Sequence, residues 1–265
     1  MKHIFMLFSQ NKHLMNQLVK RDISQRYKGS YLGIVWSFVT PLCMLAIYTF
    51  FFGFVFNNRW GASASDNKFE FALVLFCGLI VFNFVSEVLT KSPNLMISNT
   101  NLVKKVVFPL EVLSVVLMRS AFVHTLISIA ILVIGLIFIG SIHWTIIFMP
   151  IVILPIILFT TGLSWFLSSL GVYVRDISQL IGLVMQALMF LSPIFYPISI
   201  IPANLRILYY FNPLTYVVED MRRILMWGQV PDWKFTALGI FLGSVVFVLG
   251  FAWFRKTKGG FADVL

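Results

Sequence analysis

Long apolar blocks alternate with short polar segments along this chain. The blocks cover residues 31–56, 71–89, 112–139, 144–173, 177–191 and 235–254. About 20 apolar residues cross the roughly 30 Å hydrocarbon core of a bilayer at 1.5 Å per residue. We therefore predict an all-α integral membrane protein with six transmembrane helices, called spans 1 to 6 in this order.

Composition supports the bilayer as the solvent of this chain. Hydrophobic residues make up 59% of the 265 residues and charged residues only 11%, where soluble domains carry roughly a quarter. The net charge of +10 comes from residues between the blocks, which is typical of topology signals and argues against nucleic-acid binding. Two cysteines inside apolar blocks, Cys43 and Cys77, indicate no disulfide framework or metal site.

Lysine and arginine fall unevenly on the two sides of the predicted membrane. One side carries the following: Lys2, Lys12, Lys20, Arg21, Arg26, Lys28, Lys91, Lys104, Lys105, Arg175, Arg255, Lys256 and Lys258. The other side carries only Arg59, Lys68, Arg206, Arg222, Arg223 and Lys234. The positive-inside rule then places both termini in the cytoplasm, and an even number of spans requires the same.

The segment before span 1 has the pattern of an amphipathic helix over residues 5–27. Leu7, Leu14, Leu18 and Ile23 recur at near-helical spacing between polar positions. Such a helix lies in the headgroup plane, either as an anchor or as a surface that faces a partner. We therefore divide the chain into a cytoplasmic interface helix at 1–30 and a six-span domain at 31–265.

Residues 192–234, between spans 5 and 6, are apolar but contain five prolines. A straight span is excluded by that number of helix breakers. We predict re-entrant helices from pieces such as 194–201 and 214–225. Non-helical backbone at membrane depth must be buried in protein or line a wet cavity, so this segment indicates a translocation path.

The loop at residues 92–107 is the one substantial loop on the basic side. Its polar residues are Asn94, Asn99, Asn101, Lys104 and Lys105. It is either a plain connector or a short helix that docks on a soluble partner and relays force into spans 2 and 3.

Polar and aromatic residues inside the spans are candidates for both packing and transport. Tyr31, Trp36 and Tyr48 of span 1 offer stacking faces for sugars, and Gln179 and Gln186 of span 5 share one helix face. We interpret Glu87, Glu111, Arg119 and His124 as structural rather than as a proton relay. Gly239, Gly243 and Gly250 of span 6 form a face suited to close helix packing.

No phosphate-binding loop or catalytic constellation occurs in the sequence. We therefore expect a protein that is not an enzyme and that holds no cofactor of its own.

Four motifs in order carry a resemblance to a known family. They are RDISQRYKGSYLG at 21–33 followed by Trp36 and Pro41, FPLE at 108–111, YVRDI at 173–177 and NPLT at 212–215. Over nearly the whole chain the sequence resembles type-2 ABC exporter permeases. It is most similar to those that export lipid-linked polysaccharides, such as O-antigen (Wzm-type), capsule and teichoic-acid permeases.

The resemblance implies a homodimer in the bacterial inner membrane, paired with two copies of a separate ATPase that binds ATP and magnesium. The implied substrate is a glycan on a polyprenyl diphosphate carrier, moved from cytoplasm to periplasm. The implied channel is lined by spans 1 and 5, which brings in Tyr31, Trp36, Tyr48, Gln179 and Gln186. The loop at 92–107 becomes the coupling helix against the ATPase.

Two basic residues and the substrate class stay open at this point. Arg26 and Lys28 either meet the lipid diphosphate at the cytoplasmic entrance or serve as ordinary topology charges. A drug or small-lipid exporter permease of the same fold is the first alternative. A membrane enzyme of glycan assembly is the second.

Overall fold

The computed structural model describes residues 11–51, 68–105, 108–202, 204–206, 209 and 212–265. Within these residues all regular structure is helical. The α-helices are α1 (Lys12–Arg26), α2 (Trp36–Tyr48), α3 (Lys68–Lys91), α4 (Thr100–Lys105), α5 (Glu111–Ile139), α6 (Met149–Tyr173), α7 (Ile177–Leu191), α8 (Pro213–Leu225), α9 (Trp233–Thr257) and α10 (Phe261–Val264).

Five helical segments are long and apolar enough to cross a membrane. They are Gly33–Phe51, Phe69–Asn94, Glu111–Ile139, Trp144–Tyr173 and Trp233–Val264. They confirm spans 1, 2, 3, 4 and 6 as long apolar helices, although the predicted end of span 1 at 52–56 lies outside the described residues. Span 5 coincides with α7, whose 15 residues make a helix of only about 22 Å. The sixth crossing therefore stays a prediction.

Span 2 lies at the centre of the bundle. The most apolar stretch of this span is 83% buried, against 11% for that of span 1. Helix α3 packs against α2, α5, α6, α7 and α8. This segment has no polar face, and a helix that is hydrophobic on every side is suited to a position where other helices of the protein surround it.

Helices α6 and α9 make the closest helix pair, and glycine permits it. A Cβ added at Gly250 would collide with the backbone of Gly162, and one added at Gly162 would collide with the backbone of Val246. Gly239 and Gly243 lie against Pro155 of α6. The predicted packing role of the span 6 glycine face is confirmed.

Helix α1 covers one end of the bundle through an apolar contact. Met15 and Leu18 are buried in a cluster with Met96, Trp165 and Phe254. Lys12, Lys20 and Arg21 remain exposed. The described part of the predicted 5–27 helix is therefore one-sided, as the sequence pattern indicates, and its apolar side faces protein.

We expect Gly250→Ala to lower the free energy of unfolding by about 1–3 kcal/mol, because the added methyl group forces two backbones apart. The measurement is thermal unfolding of the purified protein in detergent. Gly182→Ala in α7 is the matched control, since an added Cβ there meets nothing within 4 Å. Equal melting temperatures for the two variants would contradict the close-packing interpretation.

Candidate translocation path and coupling surface

One end of the bundle gathers more than half of the lysine and arginine residues in the described part of the chain. We call it the basic end, and define it as α1, residues 91–111 and residues 255–265. Lys258 Nζ lies 2.6 Å from Glu111 Oε1, and Arg119 Nη2 donates to Asn16 Oδ1 at 2.8 Å. These contacts join the start of span 3 to the end of span 6 and to α1.

Arg26, at the last residue of α1, is held by two spans. Its Nη2 donates to Glu87 of α3, and its Nη1 lies 2.9 Å from His124 Nδ1 of α5. Lys91 Nζ donates to the same Glu87 Oε1 at 3.0 Å. Burial is the largest single influence and lowers the pKa of the Arg26 guanidinium, but the hydrogen bond and the charge of Glu87, together with Tyr27, outweigh it, so the pKa is raised. The arginine therefore stays charged and already has a carboxylate partner.

Lys28, the second residue predicted at the diphosphate entrance, lies two positions further on and is exposed. It precedes Gly29 and Gly33, whose φ angles of 85° and 52° turn the chain from α1 into span 1. Arg26 is exposed as well, but it already binds Glu87, so an incoming anion would have to share or replace that carboxylate, whereas Lys28 on the turn requires no such exchange.

All four ionisable residues singled out within or near the spans have partners in the protein. Glu87 and His124 share Arg26, Glu111 binds Lys258, and Arg119 binds Asn16. These contacts agree with the structural interpretation made from the sequence.

The predicted coupling loop is an ordered segment that contains a short helix. Two tight turns, Ser92–Asn94 and Ile97–Asn99, lead into α4. Ser92 Oγ lies 2.7 Å from Val88 O and 2.8 Å from Ser164 Oγ, which fixes the segment to spans 2 and 4. Gly171 of span 4 lets the carbonyl of Pro93 approach its backbone.

The coupling candidates differ in exposure. Asn94, Asn101 and Lys104 are exposed, while Asn99 is half-buried and donates from Nδ2 to Leu95 O at 2.9 Å. Lys105 is the last residue of α4, and its side chain lies outside the described set. A polar cavity of about 400 Å³ separates this segment from α1, with Arg21, Asp22, Thr90, Lys91 and Asn94 among its lining residues. The segment thus presents polar groups and a concave surface.

The channel candidates lie on the least covered helices. Tyr31, Trp36, Gln179 and Gln186 are exposed, and Met185 is the one buried residue of α7. Tyr48 is half-buried, and its ring centroid lies 6.2 Å from that of Phe195, just after span 5. Spans 1 and 5 both pack on span 2, so the helices that carry these candidates are attached to the same central helix.

Arg222 is a residue that sequence reasoning misplaced. The charge pattern of the sequence assigns Arg222 to a loop on the less basic side of the membrane, but its side chain is 0% exposed. Its Nε donates to Val74 O at 3.2 Å, Nη1 to Pro193 O at 2.7 Å and Nη2 to Ile194 O at 2.7 Å. Glu219 Oε1 lies 4.0 Å from Nη1. The arginine ties the chain break after span 5 to span 2.

A signal for this role exists in the sequence. Pro193 stops α7 from continuing, which leaves carbonyl groups without helical donors. A buried guanidinium with five N–H donors is suited to satisfy several carbonyls at once. Gly78 of span 2 adds space, because a Cβ there would lie 3.0 Å from Arg222 Nη2.

The chain is similar to known membrane transport proteins over most of its length. The family described as ABC-2 type transporter matches residues 13–226. An O-antigen export system permease protein RfbA of Klebsiella pneumoniae is 27% identical over 95% of both chains. The protein of the same name in Myxococcus xanthus is 25% identical over 84% of both chains. The polysialic acid transport protein KpsM of Escherichia coli is 23% identical over 91% of this chain and 94% of its own.

A bundle of long apolar helices with a charged, ordered end is the architecture of a multi-pass membrane protein. The match over residues 13–226 covers most of the chain, and this protein belongs to the ABC-2 type transporter family. It is a multi-pass permease subunit and not an enzyme.

We expect Arg222→Lys to lower the melting temperature of the purified permease. A lysine ammonium cannot reproduce the three-way fork, and each buried acceptor left without a donor costs about 1–3 kcal/mol. Arg223→Lys is the matched control, because Arg223 is only half-buried and its Nε reaches a single carbonyl, Val230 O, at 3.2 Å. If both variants melt together with the wild type, Arg222 does not have the role that its contacts indicate.

Proposed function

We propose that this permease exports a polysaccharide linked to polyprenyl diphosphate, most simply an O-antigen, from the cytoplasm to the periplasm. The observation that carries the proposal is similarity over most of the chain to relatives named for O-antigen export and for polysialic acid transport. O-antigen and polysialic acid are both long glycans. The exposed aromatic and amide side chains of spans 1 and 5 supply the stacking faces and exchangeable hydrogen bonds that such a cargo needs.

The topology in this proposal has six spans in the bacterial inner membrane. Helix α7 is the sixth crossing, helped by the segment that follows it, and α8 is a re-entrant helix. The basic end faces the cytoplasm by the positive-inside rule, which puts both termini there. Helix α1 then lies at the cytoplasmic membrane surface as the interface helix.

The partners in this proposal are a second copy of this chain and two copies of an ATPase that binds ATP and magnesium. The faces of spans 1 and 5 meet across the dimer, so that Tyr31, Trp36, Tyr48, Gln179 and Gln186 line the path. Asn94, Asn99, Asn101, Lys104 and Lys105 form the surface that couples to the ATPase. Exposed polar residues on an ordered helix fit a soluble partner better than they fit lipid.

The lipid diphosphate enters, in this proposal, beside the turn from α1 into span 1. Lys28 is the accessible cation there. Arg26 joins when the phosphate shares its guanidinium with Glu87, which Lys91 also neutralises. A charge-assisted contact of this kind is strong but exchangeable, as a transported anion requires.

The proposal is tested by deleting the gene in its host and locating the lipid-linked polymer by cell fractionation. We expect polymer to accumulate on the cytoplasmic side, with none at the cell surface. Normal surface polymer would overturn the polysaccharide claim and favour a drug or small-lipid exporter. Complete absence of polymer would favour an enzyme of glycan assembly.

We expect Trp36→Ala to lower export of the polymer while the permease still assembles with its ATPase. The exposed indole is lost from the path, and an aromatic contact is worth about 0.5–1.5 kcal/mol, which corresponds to about a twofold to tenfold loss of export. Trp253→Ala is the control, because Trp253 is a comparably exposed indole on span 6, outside the proposed path. Unchanged surface glycan in Trp36→Ala would remove Trp36 from the channel.

A further inference from the structure

The segment that follows span 6, residues 258–265, packs against the other parts of the basic end. Phe261 is fully buried, and its ring centroid lies 5.4 Å from that of Phe254 and 6.0 Å from that of Tyr173. Its apolar cluster includes Met96 of the coupling loop, and Leu102 and Val103 of α4 pack against that cluster. Helix α10 lies directly beside α4 and α6.

Polar contacts fix the same segment to spans 3 and 4. Lys258 Nζ lies 2.6 Å from Glu111 Oε1, where Glu111 is buried at the first residue of span 3. Tyr173, at the end of span 4, donates from its hydroxyl to Thr257 O at 3.0 Å. Ser169 Oγ and Thr257 Oγ1 lie 2.6 Å apart. The end of span 6 is therefore held to the ends of spans 3 and 4 beside the coupling helix.

The outer side of this segment continues the surface of the coupling helix. Ala262, Asp263 and Val264 are exposed on α10, while Asn101 and Lys104 are exposed on the neighbouring α4. These two short helices share one buried apolar cluster and present their polar residues outward. A protein that binds the face of α4 has α10 next to it.

We propose that residues 258–265 form, with α4, one docking surface for the ATPase, and that Phe261 couples movement of α4 to spans 4 and 6. This inference rests on the proposed ATPase partner and assigns it a second contact. The loop at 92–107 connects only spans 2 and 3 along the chain. Through Phe261, Lys258 and Thr257 the same movement of α4 reaches spans 3, 4 and 6 by side-chain contacts, in addition to the chain connection to spans 2 and 3.

Site-specific photocrosslinking in membranes of the native host tests the surface. A benzophenone amino acid is placed at position 263 on α10, at position 101 on α4, and at position 142, which is exposed near the opposite end of the bundle. Crosslinked products are identified by mass spectrometry. We expect the ATPase, recognised by peptides that contain its phosphate-binding loop, on 263 and 101 and not on 142.

The outcomes separate this inference from the proposed function. A crosslink from 101 without one from 263 would overturn the role of residues 258–265 and leave the ATPase partner intact. The lack of an ATPase crosslink from both positions would contradict the partner itself, and this inference with it.

Packing of Phe261 is tested separately. We expect Phe261→Ala to reduce the ATPase retained on affinity-purified permease about tenfold, because α10 and α4 lose their shared core. Val248→Ala changes a comparably exposed valine of span 6 that lies outside the proposed docking surface, and it should retain the wild-type amount. Wild-type retention in Phe261→Ala would show that its burial has no part in docking.

Discussion

A backbone that stops being helical inside an apolar protein must find new hydrogen-bond donors for its carbonyl groups. This constraint governs the chain break after span 5, where Pro193 and Ile194 are buried. Arg222 resolves it by donating to both carbonyls and to Val74 of the central span. The guanidinium is in turn balanced by nearby Glu219. One side chain thus holds the broken segment, α8 and span 2 in a fixed relation, and spans 1, 3, 4 and 5 pack on span 2.

The basic end solves a different problem, which is to hold segments far apart in sequence as one unit. Helix α1, the coupling loop, the start of span 3 and residues 258–265 share one buried apolar cluster. Ion pairs between Lys258 and Glu111, and between Arg26 and Glu87, fasten its edges. Partly buried ion pairs contribute more to geometry than to stability. An end held together in this way can transmit a movement of a soluble partner to several helices at once.

The sequence predicts the helices better than it predicts their contacts. Spans 2, 3, 4 and 6 were placed within a few residues because apolar length alone marks them. The roles of Arg222 and Phe261 could not be predicted this way, because they depend on residues distant in sequence. Arg222 binds Val74, 148 positions earlier, and Phe261 packs in a cluster with Met96, 165 positions earlier. A charge count treats every arginine as a topology signal and cannot tell a buried fork from a loop cation. For the channel candidates, the sequence indicates which residues carry aromatic or amide side chains, but only the fold shows whether those side chains are exposed.

The exposed faces of spans 1 and 5 indicate where the proposed path lies. Apolar side chains on such a face are compatible with lipid, but the amides of Gln179 and Gln186 are not. Each amide brings two donors and an acceptor that hydrocarbon leaves unsatisfied. They are stable where water, a glycan or a polar group of a second copy can reach them. Trp36 is exposed on α2, which also packs on span 2, and Tyr31 is exposed just before the helical part of span 1 begins at Gly33. In the proposed dimer the amides and these aromatic side chains would therefore face the path.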